Sequence, residues 1–322
     1  MPSRFLRLFG SALAVLWLSG CVATPQTQAV LSSFSTPTAS VPVLPPSHLL
    51  DEVPFFAQEQ FQCGPAALAT VLQASRVNVT PEPLVAEVYV PERQGSLQIE
   101  MLAAARRHGR IAHLLPGELD SVLRQVHAGK PVLVMQNLGL RLLPQWHYAV
   151  VVGFDLARKE IVLNSGMTRH YRMPLSVFER TWQRAGHWAV VVLAPGELPE
   201  DTRELAYVDA LAAFAIVSGP AALEASYRAG LHRWPSSRLL GMGLANLSYT
   251  QGDFAAASVG YEAVLRAWPQ EAAAHNNLAQ ALFRLGETDM ARTHAELAVS
   301  LGGRFADTYQ ATLDTINGKT AP

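Results

Sequence analysis

The spacing of apolar residues changes part-way along the chain. Up to about residue 128 these residues recur at helical spacing, as in the stripe of Ile99, Leu102 and Ala103. Beyond residue 130 they form continuous runs of strand length. Helices followed by strands predict an α+β domain, which we place at residues 51–195. The predicted helices are 65–72, 81–88, 98–108 (capped by Ser96) and 119–128, and the predicted strands are 131–135, 147–152, 160–164 and 188–193.

The second and third of these strands predict a β-hairpin. Residues 153–159 lie between them and contain turn-forming residues. A hairpin that folds symmetrically about residues 155 and 156 places His147 directly opposite Asn164. Opposed residues have Cβ atoms about 5 Å apart and point to the same face of the sheet. The sequence therefore predicts that the Asn164 amide orients the His147 imidazole.

An all-α domain is predicted at residues 204–317, after a polar joint at 196–203. Its sequence repeats at an interval of 34 residues, because Pro235 and Pro269 are 34 apart, as are Gly252 and Gly286. A 34-residue period with helix–turn–helix content resembles the tetratricopeptide repeat. Accidental helical bundling is the alternative. The predicted repeats are 204–237, 238–271 and 272–305.

Residues 1–21 are predicted to be a targeting segment. Two arginines precede a short apolar stretch at residues 8–18, and the sequence Leu-Ser-Gly-Cys ends at Cys21. This order resembles a bacterial lipoprotein signal with its lipobox, which implies that Cys21 is acylated and becomes the mature N-terminus. An ordinary secretory signal is the alternative. No aspartate follows Cys21 at residues 22–23, which favours the outer membrane, with the protein facing the periplasm.

Residues 22–50 are rich in proline, serine and threonine. This composition predicts a flexible tether between a lipid anchor and the folded part of the chain.

The overall composition narrows the function classes. Hydrophobic residues are 49% and charged residues 16% of the 322 residues, which is an ordinary globular balance for about two domains. The formal net charge of −1 indicates no attraction for nucleic acid. The two cysteines, Cys21 and Cys63, do not make a disulfide framework. If Cys21 carries lipid, Cys63 is the only thiol of the mature chain.

Cys63 lies just before the first predicted helix. Pro65 suits the first turn of a helix, where its missing N–H has no helical partner. The positive end of a helix dipole stabilises a thiolate, so we expect a lowered thiol pKa and a reactive nucleophile. The alternative is a small buried cysteine that only packs.

Cys63, His147 and Asn164 make a chemically complete set. An imidazole can take the proton of a thiol, and an amide can fix the tautomer and orientation of the imidazole. An acyl-transfer transition state also needs donors for its oxyanion. The candidates are the backbone N–H of Cys63 and an upstream glutamine, which is Gln58, Gln60 or Gln62.

The motifs around these residues resemble the papain-fold cysteine peptidases, most closely the bacteriocin double-glycine leader peptidases and their stand-alone, peptidase C39-like relatives. The resemblance covers roughly residues 50–195. It implies Cys63 as nucleophile, His147 as base, Asn164 as orienting residue and Gln58 as the oxyanion-hole residue. The sequence departs from that group in two ways: the third position is usually Asp, and the glutamine usually lies six residues before the cysteine, whereas Gln58 lies five before Cys63.

Other polar residues receive no catalytic role. Asp155 lies at the predicted turn, about 26 Å from His147 along an extended strand. Gln136 and Asn137 are interpreted as turn residues, with a place in the cleft wall as the alternative. No metal site or cofactor is predicted, because metal-binding spacing is absent around His108, His113, His127 and His170.

These patterns predict a lipid-anchored cysteine peptidase with a papain-like domain and an all-α, tetratricopeptide-like domain. We expect it to hydrolyse a peptide bond through a thioacyl-enzyme and to bind a protein partner through its repeats, with no nucleic-acid partner. Two alternatives stay open. One is a catalytically silent adaptor that binds a peptide, and the other is acyl transfer or crosslinking by the same triad.

Overall fold

The structure is a computed structural model that describes residues 24–36, 44–57 and 62–319. A first part contains a sheet and helices, and a second part is helical. The first part consists of α1 (Pro25–Ser35), β1 (Ser47–Leu49), α2 (Cys63–Ala74), α3 (Pro81–Val88), β2 (Tyr89–Val90), a 3-10 turn (Pro91–Arg93), β3 (Gly95–Ser96), α4 (Gln98–Arg107), β4 (Ile111–Leu114), α5 (Leu119–His127), β5 (Val132–Asn137), β6 (Trp146–Asp155), β7 (Glu160–Ser165), β8 (Thr168–Pro174), α6 (Leu175–Gln183) and β9 (Ala189–Leu193). The second consists of α7 (Glu204–Ala215), α8 (Pro220–Arg233), α9 (Arg238–Thr250), α10 (Phe254–Ala267), α11 (Ala272–Arg284), α12 (Thr288–Leu301) and α13 (Ala306–Ile316).

A seven-stranded antiparallel sheet organises the first part. Its strand order is β4–β9–β5–β6–β7–β8, and β1 pairs with the end of β6 that lies away from β5. Side chains alternate along β6, so that Tyr148 and Val150 pack into one core and Ala149 and Val151 into another. Helices α2, α3 and α4 cover the first face, and α1, α5 and α6 cover the second. The predicted α+β arrangement followed by a helical region is confirmed.

The predicted helices and strands all overlap observed elements, but two local interpretations were wrong. Ser96 does not cap α4; it lies in β3, and Leu97 holds the N-cap position. Gln136 and Asn137 are the last residues of β5 and not turn residues. Both side chains are buried, because β5 is an inner strand of the sheet.

The β6–β7 hairpin has a different register from the predicted one. Asn164 pairs with Val150, and His147 pairs with Gln136 on the opposite neighbour. Residues 153–155 continue β6, so the turn lies at residues 156–159, and a register shift between Val151 and Gly153 reduces the resulting offset by one residue. Gly153 belongs in the strand because a Cβ there would lie 2.7 Å from the carbonyl oxygen of His48 in β1. Glycine at position 153 allows β1 to lie close to β6, whereas the sequence analysis interpreted this glycine as a turn residue.

Part of the predicted tether is ordered and packed. The backbone N–H groups of Gln26 and Thr27 at the start of α1 donate to the buried carboxylate of Glu179, at 3.1 and 2.7 Å. Val30 packs into the core on the same side. Residues 47–49 add a strand to β6. A carboxylate at a helix N-terminus satisfies donors that have no partner within the helix, which composition alone does not reveal.

The helices of the second part form antiparallel pairs at the predicted 34-residue interval, consistent with tetratricopeptide-like repeats. Gly252 and Gly286 turn the chain between paired helices with left-handed φ values of 80° and 84°. The first pair shares the core of the first part, where Tyr207 and Phe214 pack with residues of the sheet. The joint at 196–203 is held in place, since Gln125 and Glu200 exchange two hydrogen bonds.

Among the described residues, no helix has both the length and the apolar character that crossing a bilayer requires.

Candidate active site

Cys63 lies beside the end of β6 that carries His147. Cys63 is the first residue of α2, and His147 is the second residue of β6. The backbone N–H of Tyr148, which directly follows His147, lies close enough to the Cys63 thiol to favour its thiolate form. The fold therefore holds the predicted nucleophile beside the strand end that carries the predicted base.

The helix start does not lower the thiol pKa as predicted. Burial raises the pKa of the Cys63 thiol, and hydrogen bonds from the backbone of Tyr148, Gly64 and Cys63 itself oppose this only in part. Residues 64–72 of the twelve-residue helix α2 are all buried, so a thiolate at its start loses hydration. Deprotonation of Cys63 in this site requires a base.

His147 has the properties of that base. Burial lowers the pKa of its imidazole, which keeps the ring neutral at physiological pH. Its Nε2 lies 2.8 Å from Ser165 Oγ. When Nε2–H donates to Ser165, Nδ1 carries the lone pair that can accept a proton. Within residues 62–319 no hydrogen bond joins the thiol to the ring, and such contacts commonly tighten only when substrate is bound.

Asn164 does not orient His147, contrary to the prediction. Its buried side chain donates from Nδ2 to the Pro54 carbonyl at 3.3 Å and accepts the His170 backbone N–H at 3.2 Å. Asn164 therefore ties the β7–β8 turn to the segment that leads toward Gln58. The hydrogen-bond partner of His147 is the next residue, Ser165. The sequence motif correctly singled out the segment that contains the partner of His147. The wrong hairpin register then assigned the partner to Asn164, whereas it is Ser165.

Substitutions at these two neighbouring positions should separate the two roles. Ser165→Ala removes one hydrogen bond to the imidazole, worth about 1 kcal/mol, so we expect a roughly fivefold loss in kcat and a shifted acid limb of the pH–rate profile. Asn164→Ala leaves a buried carbonyl and N–H unpaired, so we expect a lower melting temperature and an unshifted acid limb. Thermal unfolding and pH–rate profiles of both variants measure this. A shifted acid limb in Asn164→Ala alone would restore the original assignment.

The N-terminal turn of α2 is packed against β3. A Cβ on Gly64 would lie 2.6 Å from Ser96 Cβ and closer still to Ser96 Oγ. Ser96 in turn accepts a hydrogen bond from Tyr148 Oη on its carbonyl, at 3.2 Å. Glycine at position 64 thus permits the contact that fixes the nucleophile's turn relative to Tyr148.

Gly64→Ala should overpack this contact. We expect a loss of about 1–3 kcal/mol in the free energy of unfolding, together with reduced turnover, because the Cys63 turn must shift. The double variant Gly64→Ala/Ser96→Gly removes the obstructing side chain and should recover most of both losses. Denaturant unfolding and ester hydrolysis measure them. Absence of recovery would show that the Ser96 contact is not the cause.

Several predicted residues lie outside the described part of the chain or take structural places. Gln58, Gln60 and Cys21 are outside it, so the oxyanion and lipidation assignments stay predictions. Gln62 holds the N-cap position of α2 without a capping hydrogen bond from its side chain. In the described ranges, no group of three or more His, Cys, Asp or Glu side chains is arranged to hold a metal ion.

One protein-family model matches the part of the chain that contains this site. Residues 50–190 match the model of the family described as "Peptidase_C39 like family". This segment is a peptidase C39-like domain. The match suggests cysteine peptidase activity for the domain, and the helical region follows it.

The solved structures that match parts of this chain fall into two groups. A protein described as a C39-like peptidase from Bacillus anthracis is 18% identical, with a TM-score of 0.39, and the match covers 46% of this chain and 97% of that one. A double-glycine motif protease from an AMS/PCAT transporter, in complex with its leader peptide, is 24% identical, with a TM-score of 0.34 and coverage of 44% and 90%. The first TPR of Spaghetti (RPAP3), bound to an HSP90 peptide, is 16% identical, with a TM-score of 0.33 and coverage of 36% and 91%. The search of curated proteins gives no match.

Proposed function

We propose that this chain is a lipid-anchored cysteine peptidase that hydrolyses a peptide bond through a Cys63 thioacyl-enzyme. The observation that carries the proposal is the position of the Cys63 thiol near the backbone N–H of Tyr148, at the end of β6 where His147 Nε2 lies 2.8 Å from Ser165 Oγ. A half-buried thiol and a half-buried neutral imidazole can serve as a nucleophile and its base.

The reaction follows from these two groups. His147 Nδ1 accepts the thiol proton as Cys63 Sγ attacks the peptide carbonyl, and the carbonyl electron pair moves to oxygen. The tetrahedral intermediate collapses, the C–N bond breaks, and the imidazolium returns the proton to the leaving amine. A water then attacks the thioester with His147 again as base, which releases the acid and regenerates the thiol. Ser165 acts as a positioning residue throughout.

The oxyanion donors in this proposal are the Cys63 backbone N–H and the Gln58 amide. Gln58→Ala should lower kcat by about a hundredfold or more if the amide stabilises the oxyanion, with little change in KM. Gln60→Ala and Gln62→Ala are matched controls from the same segment. Steady-state kinetics on a peptide ester would reassign the role if Gln58→Ala is silent and either control is crippled.

The anchor rests on the lipobox at Cys21. In this proposal Cys21 carries the lipid, and the protein resides at the outer membrane facing the periplasm. Wild-type cells should incorporate radiolabelled palmitate into the protein, whereas Cys21→Ala should yield an unlabelled precursor. Lack of label in the wild-type protein would remove the anchor from the account.

The repeats are proposed to bind a protein partner through the amide-bearing surface of their first helices. Asn277 on α11 donates to Asn246 on α9 at 3.0 Å, and Gln280 on α11 donates to Thr312 on α13 at 3.2 Å. This continuous row of amide and hydroxyl groups suits the backbone of an extended peptide. In-cell crosslinking should lose its adduct in Asn246→Ala/Asn277→Ala while ester hydrolysis is retained. An unchanged adduct would contradict this role.

A further inference from the structure

The loop that connects β5 to β6 exposes a cluster of large apolar side chains next to the candidate active site. The segment of residues 138–146 comprises this loop and the first residue of β6, ends directly before His147 and contains no acidic residue. We call it the apolar loop. An exposed methionine, Met167, lies in the β7–β8 turn at the same end of the sheet, two residues after Ser165. The exposed fractions are 93% for Leu142, 75% for Leu143, 73% for Met167, 68% for Leu140 and 55% for Trp146.

The base of the apolar loop is fixed by hydrogen bonds. Asn137 Oδ1 accepts the backbone N–H groups of Gly139 and Gln145, each at 3.0 Å, and Leu138 N–H donates to the Gln145 carbonyl at 2.9 Å. Arg184 donates to the Asn137 carbonyl from the adjacent helix end. The apolar tip is therefore presented on a rigid support, and its side chains have not turned inward to a core.

The described chain begins at this same edge of the sheet. At the start of α1, Gln26 Nε2 donates to the Gly117 carbonyl at 3.1 Å and lies 3.5 Å from His187 Nε2. His187 belongs to the short connection that starts at Arg184, the residue that holds the base of the apolar loop. Helix α1 is locked there by the buried Glu179. The N-terminal entry point and the apolar loop thus share one end of the molecule.

The distance from Cys21 to this edge is short. Three peptide bonds join Cys21 to Thr24, the first described residue, and an extended chain spans at most about 3.6 Å per residue. A lipid on Cys21 would therefore hold Thr24 within about 11 Å of the bilayer interface. The exposed leucines of the apolar loop lie at the same end of the molecule.

We propose that the apolar loop inserts into the bilayer surface and orients the catalytic cleft toward the membrane. Leu140, Leu142 and Leu143 would enter the interface, Trp146 would lie at the headgroup level that tryptophan favours, and the Arg141 guanidinium would remain among the headgroups. This inference rests on the proposed lipid anchor for its distance argument. It predicts that the bond cleaved by Cys63 lies close to the membrane.

The chemistry of the loop favours a bilayer over a peptide as its occupant. A peptide ligand needs a concave surface with polar groups for its backbone. The loop is a convex tip whose most exposed residue, Leu142, is almost fully in solvent. Its one charged residue is a cation, which matches anionic headgroups.

Vesicle binding by the mature chain with Cys21→Ser tests the proposal without an acyl anchor. The vesicles contain phosphatidylethanolamine and phosphatidylglycerol, and binding is measured by flotation. We expect the parent to bind and Leu142→Glu/Leu143→Glu to lose at least tenfold in partitioning. Leu205→Glu/Val259→Glu, which alters two exposed apolar residues of the helical region, is the matched control and should bind like the parent. Quenching of fluorescence by brominated lipid should fall in Trp146→Phe.

Three results would overturn the insertion proposal: no vesicle binding by the parent, equal binding by the loop variant, or equal loss in the control. A loop variant that loses hydrolysis of a soluble peptide without vesicles would make the loop a peptide-binding surface instead. Because the assay needs neither acylation nor turnover, its failure is distinguishable from failure of the anchor or of the peptidase assignment.

Discussion

Cys63→Ala is expected to abolish hydrolysis of peptide esters and peptides by the mature chain. Cys63 is the one free thiol among the described residues, so no neighbouring thiol in this region can take over the attack. The substitution removes only a sulfur atom that packs at the edge of a core, so the melting temperature should change little. The measurement is steady-state hydrolysis together with thermal unfolding.

Cys63→Ser is the matched variant for this test. It keeps the size and a hydroxyl nucleophile but lacks a thiol that His147 can deprotonate readily, so it too should be inactive. Full activity of Cys63→Ala on the natural substrate would mean that the domain binds a peptide without cutting it, and the adaptor reading would replace the enzyme.

His147→Ala is expected to reduce kcat by about 10²–10⁴-fold near pH 7. Burial raises the pKa of the Cys63 thiol, so without an imidazole almost no thiolate forms at that pH. The deficit should shrink as the pH approaches 10, because hydroxide can then ionise the thiol. A Cys63→Ala/His147→Ala double variant should be no worse than Cys63→Ala alone, since the two groups act as a unit.

The pH–rate profile of the wild-type protein should reflect the same pair. Burial lowers the pKa of His147 below its ordinary value of 6.5. The imidazole therefore stays neutral, and activity is retained, until the pH falls through that lowered pKa. The raised pKa of the Cys63 thiol moves the alkaline limb upward. These limbs are properties of the coupled pair. His127→Ala, which removes a histidine that contacts His48 at the far end of β6, is the control and should leave the profile unchanged.

The sequence predicted the fold class, and it singled out two candidate catalytic positions, because both depend on local pattern. The periodicity change marked helices and strands, the 34-residue interval marked the helix pairs, and the motifs singled out Cys63 and His147. Residues with long-range partners were harder. Gly153 continues a strand only because β1 approaches it, and Glu179 orders α1 from a helix some 150 residues away.

The sequence-based prediction of the thiol pKa was wrong because burial determines that pKa. A cysteine at a helix start reads as an activated thiolate, but the apolar surroundings of α2 outweigh the hydrogen bonds that favour the charged form. Ser165 was hidden by a register error in the hairpin, since a shift in pairing changes which side chain meets His147. Neither effect is encoded within a few neighbouring residues.

The central claim is that Cys63 carries the acyl group during turnover, with His147 as the base. Intact-protein and peptide mass spectrometry, on samples quenched in acid during hydrolysis of a peptide ester, tests this most directly. The account predicts an acyl adduct on Cys63 that appears at the start of turnover, disappears as the ester is exhausted, and forms far more slowly in His147→Ala. Turnover without an adduct on Cys63, or an adduct that forms equally fast without His147, would contradict it.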